Sequence, residues 1–356
     1  MRAAVFYGPN DVRIENKDFE NVSKNEIVLR TLSCSVCSYD VRTFRNGSFK
    51  VTPPIILGHE ICAETTTGYR GKNFNINSNS RVSVYPIIPC FDCWFCTNKK
   101  YNLCSNLMEI GSTIDGGFAE YIKVPKQVFE MGGIIPVPEE VSNEEASLIE
   151  PLACCINGIN QIKHSEFESA IIIGDGPIGL TQLMLLKRVF DGLNITIIGK
   201  ISHRLKAARN LGADRVIVIE EELEEKILSS LKEVNGQKPP NLVFVSNNNP
   251  SSLNLALRLV NKAGKIVVFS GIKKVTDKNL TNLMNIDPNT LHYDQISIHG
   301  SFSSTPSNLR EAMSLVKNKE IEIKGLVTHL FSLEEFKNAL SAAESFTGLK
   351  SIINRF

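Results

Sequence analysis

AIIIGDGPIGL, residues 170–180, decides how the second half of this chain folds. Four apolar residues make a short buried strand, a glycine-rich turn interrupts it, and GLTQLMLLKRVF (179–190) follows at helix length. Within the turn, Gly174-Asp175-Gly176-Pro177-Ile178-Gly179 fits G-x-G-x-x-G. That pattern carries weight only between a strand and a helix, which is its setting here. The glycines allow a tight turn, a close approach of backbone to pyrophosphate, and close helix–strand packing. The helix N-terminus adds free N–H groups and a positive dipole end. Gly174, Gly176, Pro177, Ile178 and Gly179 are therefore candidate dinucleotide-binding residues.

Outward from this stretch the alternation continues. NITIIG (194–199) reads as a strand, RLKAARNLGA (204–213) as a helix, RVIVI (215–219) as a strand and EEKILSSLKEV (224–234) as an amphipathic helix. NLVFVS, SLNLALRLVNKAG, KIVVFSG and ISIHGSF extend the series to residue 302. Strands alternating with helices at this spacing predict βαβ units, a doubly wound α/β Rossmann sheet with helices on both faces. The strand Ile195–Ile198 ends in Gly199-Lys200, where an NAD-binding fold usually places an Asp or Glu for the ribose 2′-OH. Gly199 leaves room there, and Lys200 with Arg204 supplies positive charge, so the pattern favours NADP over NAD. The alternative is a solvated helix start.

Upstream, residues 1 to about 150 alternate short runs such as EIVLRTL, RVSVYPII and EYIKV with Gly, Pro and Asn turns, the pattern of an irregular strand-rich domain. The last sixty residues carry a helix (LREAMSLVKNKEI), a strand (LVTHLFS) and a helix (LEEFKNALSAAES), which extend the second domain or return to the first. A chain of 356 residues suits two domains. Its formal net charge of +1 gives no concentrated basic surface, which argues against nucleic acid as a partner. No apolar run is long enough for a membrane span, and the N-terminal stretch has no signal-peptide core. The expected location is cytoplasmic, where thiols stay reduced and clustered cysteines read as metal or catalytic sites.

Four of the nine cysteines stand in CFDCWFCTNKKYNLC, residues 90–104. Disulfides, an iron–sulfur centre and a structural metal all use such clusters. An odd total fits poorly with full pairing, and the gap of seven before Cys104, followed by Ser105, departs from the bacterial iron–sulfur run. Elsewhere CSVCSYD (34–40), GHE (58–60) and EPLACC (150–155) supply thiolate, imidazole and carboxylate, the donor set zinc prefers. A Cys, a His and a Glu from separate segments fit an open catalytic site; four cysteines fit a closed structural one.

Together these motifs resemble the zinc-dependent medium-chain dehydrogenases. Cys37-Ser38-Tyr39-Asp40 matches the family's Cys-x-x-Asp segment, Gly58-His59-Glu60 its Gly-His-Glu segment, and Cys90, Cys93, Cys96 and Cys104 its four-cysteine lobe. With the fingerprint at 174–179 they stand in family order over essentially the whole chain. EPLACCING and LHYDQISIHGS look like the branch acting on polyols, sugars and cyclitols. The resemblance implies a GroES-like catalytic domain over 1–154 with a structural zinc lobe at about 85–110, a Rossmann domain over 155–296, and a return to the catalytic domain over 297–356. The active site is expected in the cleft between the domains.

It further implies two zincs per chain. Cys37, His59 and Glu150 would bind the catalytic ion, with Glu60 able to approach it; the four lobe cysteines would bind the structural one. Asp40 would orient a ligand, while Cys34, Cys62, Cys154 and Cys155 read as small buried residues. Tyr39 stands where the family often has a Ser or Thr that starts a proton relay, and its phenol is the candidate here. Arg42 and Arg45 are candidates for an anionic substrate such as a sugar phosphate, or are solvated loop residues. The expected enzyme transfers a hydride between a small-molecule alcohol or ketone and NADP or NAD, as a homodimer or homotetramer. The alternatives are a simple alcohol or threonine-type dehydrogenase, and a nucleotide-binding redox sensor or structural protein on the same scaffold.

Overall fold

The computed structural model describes residues 1–19, 22–71, 74–219, 240–271 and 286–356. The chain forms two compact units, one of Met1–Cys154 with Ser303–Phe356 and one of Cys155–Phe302. The return to the first unit thus falls at 303, not at the expected 297. The reason is that Ser297–Gly300 pairs in parallel with Lys265–Val268 as a further strand of the second unit's sheet.

In the first unit the long strand Glu26–Ser35 sets the centre. Ile27, Leu29 and Thr31 alternate inward along it, the period that buries one face of a pleated strand. Among the described residues its sheet has seven strands. Their order is Ile134–Pro136, Arg81–Val84, Glu60–Thr65, Glu26–Ser35, Lys350–Arg355 and Val327–Ser332, and Tyr121–Pro125 also pairs with Glu26–Ser35. Two registers matter for the site. Ser35 lies opposite Glu60, and on the other side Ile352 lies opposite Ser35. The end of one strand, the start of a second and the start of the last therefore meet at one place.

The strand Lys350–Arg355 is absent from the sequence expectation. KSIINR is short and polar at both ends; its strand identity comes from the two strands that flank it. Helices Pro306–Lys317 and Phe336–Glu344 and the strand Val327–Ser332 stand where the sequence places them.

In the second unit the described strands form a parallel sheet ordered Arg215–Val218, Asn194–Gly199, Ser169–Ile173, Leu242–Val245, Lys265–Val268, Ser297–Gly300. Numbered along the chain, this is 3-2-1-4-5-6, the doubly wound dinucleotide-binding order. Its central strands are continuous apolar runs, as a sheet covered on both faces requires. Ile172, Ile173, Ile197, Ile198 and Val243 to Val245 are all fully buried. Helix Pro177–Val189 leaves the carboxyl end of the first strand, where such sheets bind ligands. The helix expected at 224–234 lies outside the described residues. Among the described residues no helix is long and apolar enough to cross a membrane.

Candidate metal centres and dinucleotide loop

Cys37 follows the end of strand Glu26–Ser35 and caps helix Ser38–Asn46 in an extended conformation. Its N–H donates to Asp40 Oδ2 at 2.9 Å, which fixes the backbone at the cap. His59 precedes strand Glu60–Thr65 and is reached through Gly58 at φ +98°, where a side chain would also run into Cys34 and Phe118. The strand register then sets Cys37 beside His59 and Glu60. Their ligand atoms all lie within 4.8 Å of one another.

The carboxylates around them are buried. Asp40 is 0% exposed and Glu60 1%. Asp40 Oδ1 stands 3.7 Å from His59 Nδ1 and takes no hydrogen bond among the described residues. Burial pushes the Asp40 carboxyl up to about 6, against the opposing pull of His59. Burial would push His59 down, but Asp40 and Cys37 outweigh it and hold the imidazole well above its ordinary range. Glu150, in the first turn of helix Ile149–Asn160, accepts from Cys154 Sγ at 3.1 Å. Burial pushes its carboxyl up to about 7, with the charge of Glu60 adding to the rise. Glu150 stands outside the tight Cys37–His59–Glu60 group, though the charges of His59 and Glu60 reach it. Buried carboxylates beside a thiol and an imidazole form a donor set that a divalent cation stabilises by offsetting their desolvation. The residues fit a catalytic zinc.

Sequence reasoning missed Lys350. Its ammonium donates to Glu60 Oε2 at 2.5 Å and to Val36 O at 3.4 Å, and both charged side chains are buried. Burial would lower the Lys350 pKa, but the charges of Glu60 and Cys37 raise it. No motif marks this lysine; the register of the last strand puts it there. Tyr39 directs its hydroxyl to Ser112 Oγ at 2.7 Å and Ser48 Oγ at 3.1 Å. Its ring meets His59 edge-on, with centroids 5.9 Å apart, and the Arg42 guanidinium lies 5.6 Å from the ring centre. Arg45 pairs with Glu344 and Asn10 at the surface. Cys34, Cys62 and Cys155 are buried, and Cys154 is partly so.

The four lobe cysteines come together around the short helix Trp94–Thr97. Cys90–Cys96, Cys93–Cys96 and Cys93–Cys104 sulfurs stand 3.9, 3.4 and 4.0 Å apart. These spacings are too long for disulfides. A tetrahedron with metal–sulfur bonds of about 2.3 Å has sulfur–sulfur edges of about 3.8 Å, which the cluster matches. Amides of Cys90 and Asn106 donate to Cys104 Sγ, and amide hydrogen bonds from Ser105 and Cys96 hold the Cys93 thiol down to about 6. Phe91, Trp94 and Leu103 are exposed, so the lobe has little apolar core of its own. A structural zinc fits this site and would supply the missing cohesion.

In the second unit, Gly174 at φ +136° turns the chain out of the first strand, and a side chain there would press on Ser246. A side chain at Gly179 would overlap the Gly174 carbonyl, the close packing the fingerprint needs. Gly176 caps helix Pro177–Val189, with Pro177 and Ile178 opening its first turn. At Gly199 the structure departs from the sequence reading. The space beside it is filled, because the Asp175 side chain folds over it and a methyl group at 199 would overlap the carboxylate. Lys200 is exposed, and Arg204 is buried with its guanidinium near Gly176.

Residues 23–138 match the alcohol dehydrogenase GroES-like domain and residues 177–318 the zinc-binding dehydrogenase domain. A sorbitol dehydrogenase of Bacillus subtilis (strain 168) is 28% identical over 351 residues, spanning 97% of this chain and 94% of that protein. A D-arabitol-phosphate dehydrogenase of Enterococcus avium is 27% identical, spanning 92% and 90%. Among solved structures, the alcohol dehydrogenase RspB of Escherichia coli CFT073, crystallised with NADH, superposes with a TM-score of 0.85 at 25% identity over 99% of both chains.

Proposed function

The chain belongs to the zinc-type alcohol and polyol dehydrogenases, and from that premise we propose that it moves a hydride between a secondary alcohol of a polyol, sugar or cyclitol and a nicotinamide dinucleotide. The buried Cys37–His59–Glu60 cluster carries this reading, because mixed thiolate, imidazole and carboxylate donors suit an open catalytic zinc. The polyol class is supported by the relatives named for sorbitol and arabitol phosphate.

Cys37, His59 and Glu150 would hold the catalytic zinc, with Glu60 in reach, and Cys90, Cys93, Cys96 and Cys104 the structural one. When bound, the catalytic ion supplies a Lewis acid that makes a substrate hydroxyl acidic near neutral pH, and the dinucleotide supplies the hydride acceptor. The protein's own groups do the rest. Asp40 faces the Nδ1 edge of His59 and orients the ring. Lys350 holds the Glu60 carboxylate. The Tyr39 phenol takes the substrate proton while giving its own to Ser48, which is partly exposed and releases its own proton to solvent; buried Ser112 holds the phenol in place. For the dinucleotide, the bare end of strand Asn194–Gly199 favours NADP, whereas the Asp175 carboxylate beside Gly199 favours NAD. A cytoplasmic homodimer or homotetramer completes the reading.

The test is reduced-nicotinamide absorbance from protein carrying two zincs, with polyols, cyclitols, sugars, sugar phosphates and simple alcohols. Turnover of a polyol or sugar supports the proposal. Turnover of simple alcohols alone moves the substrate class, and no turnover with any member overturns it.

A further inference from the structure

Asp175 occupies the first variable position of the glycine fingerprint, and its side chain leaves the pyrophosphate side of the loop. It crosses to the end of the next strand and lies over Gly199. There Oδ2 accepts from the Lys200 N–H and the Ile201 N–H, both at 2.7 Å. Asp175 is 9% exposed, and Oδ1 takes no hydrogen bond among the described residues. Arg204, on the helix that starts at Ser202, is close enough to feel the Asp175 charge. The carboxylate that dinucleotide folds usually carry at the end of the second strand is missing from strand Asn194–Gly199, yet a carboxylate stands at that strand end, delivered from the first loop. The same geometry explains Gly199: any larger residue would expel Asp175.

We infer that Asp175 is the residue that selects the cofactor, and that it selects NAD against NADP; this rests on the dinucleotide-binding reading of the same loop. Two effects act together. The free Oδ1 can accept from the adenosine ribose hydroxyls, which an NAD ribose offers and a 2′-phosphate removes. The occupied Oδ2 holds the Lys200 and Ile201 amides, so these donors are closed to a 2′-phosphate, and its dianion would stand beside a carboxylate. Arg204 is drawn on by the Asp175 charge, so of these two cations only exposed Lys200 stands open to a 2′-phosphate, and it would meet it beside the Asp175 carboxylate.

The test is a fluorescence titration of the full-length zinc-loaded protein with NADH and NADPH, without substrate, and a competition with 5′-AMP and 2′,5′-ADP. NADH should bind about 100-fold tighter than NADPH, and 5′-AMP should compete better than 2′,5′-ADP. Asp175→Asn should shrink the ratio at least about tenfold, chiefly by tightening NADPH. Asp175→Gly should do the same, and adding Gly199→Asp, which moves the carboxylate to the strand end, should restore the preference for NADH. A wild-type preference for NADPH would overturn the inference, and so would a ratio unmoved in folded Asp175→Asn. Failure of the wild-type protein to bind either dinucleotide would instead overturn the dinucleotide reading. If the Asp175 variants do not fold, the wild-type ratio and the nucleotide competition still decide.

Discussion

Replacing Lys350 with methionine would leave the buried Glu60 carboxyl without its cation. Removing one member of a buried ion pair typically costs about 3–5 kcal/mol. The expected loss for Lys350→Met is of that order in urea unfolding, and Glu60→Gln in the same chain should recover much of it. Tyr39→Phe removes only a hydroxyl, so zinc content and NADH binding should stay unchanged. Loss of a positioned proton carrier lowers the turnover rate by about 100-fold or more, which steady-state kinetics with a polyol would read. At this scale the sequence is legible where motifs encode chemistry: the lobe cysteines could be named from their short fixed gaps, and Cys37, His59 and Glu60 from segments that resemble the family's. Lys350 and Asp175 could not. Each reaches its place through a strand register or a side-chain direction, and neither leaves a mark in a linear pattern.

The four-cysteine lobe has little apolar content, so the structural zinc proposed for it would carry its fold. Cys104→Ser should lower bound zinc from two to one per chain by elemental analysis and open the 90–104 segment to limited proteolysis. In the second unit, the turn after helix Ser202–Asn210 is tied to strand Asn194–Gly199 through Asp214, which accepts from Lys187 Nζ at 2.6 Å and from the Ile195 N–H at 2.7 Å. Burial pushes the Asp214 carboxyl up, but these two hydrogen bonds outweigh it and hold it below its ordinary range. A carboxyl lowered in the folded state adds stability above its unfolded pKa of about 4, and that stability is lost as the pH falls through the folded value. Because the pair is partly exposed, Asp214→Asn should cost no more than about 1 kcal/mol near pH 7. The difference from wild type should fade below about pH 4, followed by urea midpoints. The strands and helices of this unit were legible because their apolar runs are long and continuous. The strand Lys350–Arg355 was not, since six residues with polar ends carry too little periodic signal to stand apart from a loop.

Across the whole molecule, the two-unit division could be read from the change of style near residue 155, whereas the return point could not. The alternation carries ISIHGSF to residue 302 while the resemblance puts the return at 297, and the pairing of Ser297–Gly300 with Lys265–Val268 decides for the second unit. That returning segment supplies an interior strand, Lys350–Arg355, flanked by Glu26–Ser35 and Val327–Ser332. Deleting residues 350–356 should therefore cost the first unit the catalytic zinc proposed for it, while NADH titration should still detect the second unit, which loses no residue. Glu60 and Lys350 are 290 residues apart in the chain. A ribosome adding about 5–20 residues per second needs roughly 15–60 s to make that stretch. Throughout that interval the nascent catalytic half lacks one of its innermost strands and the cation for its buried glutamate. If the centre holds the proposed zinc, its loading would be a late event in biosynthesis, and a product ending early at a premature stop codon would lack the last strand of the site.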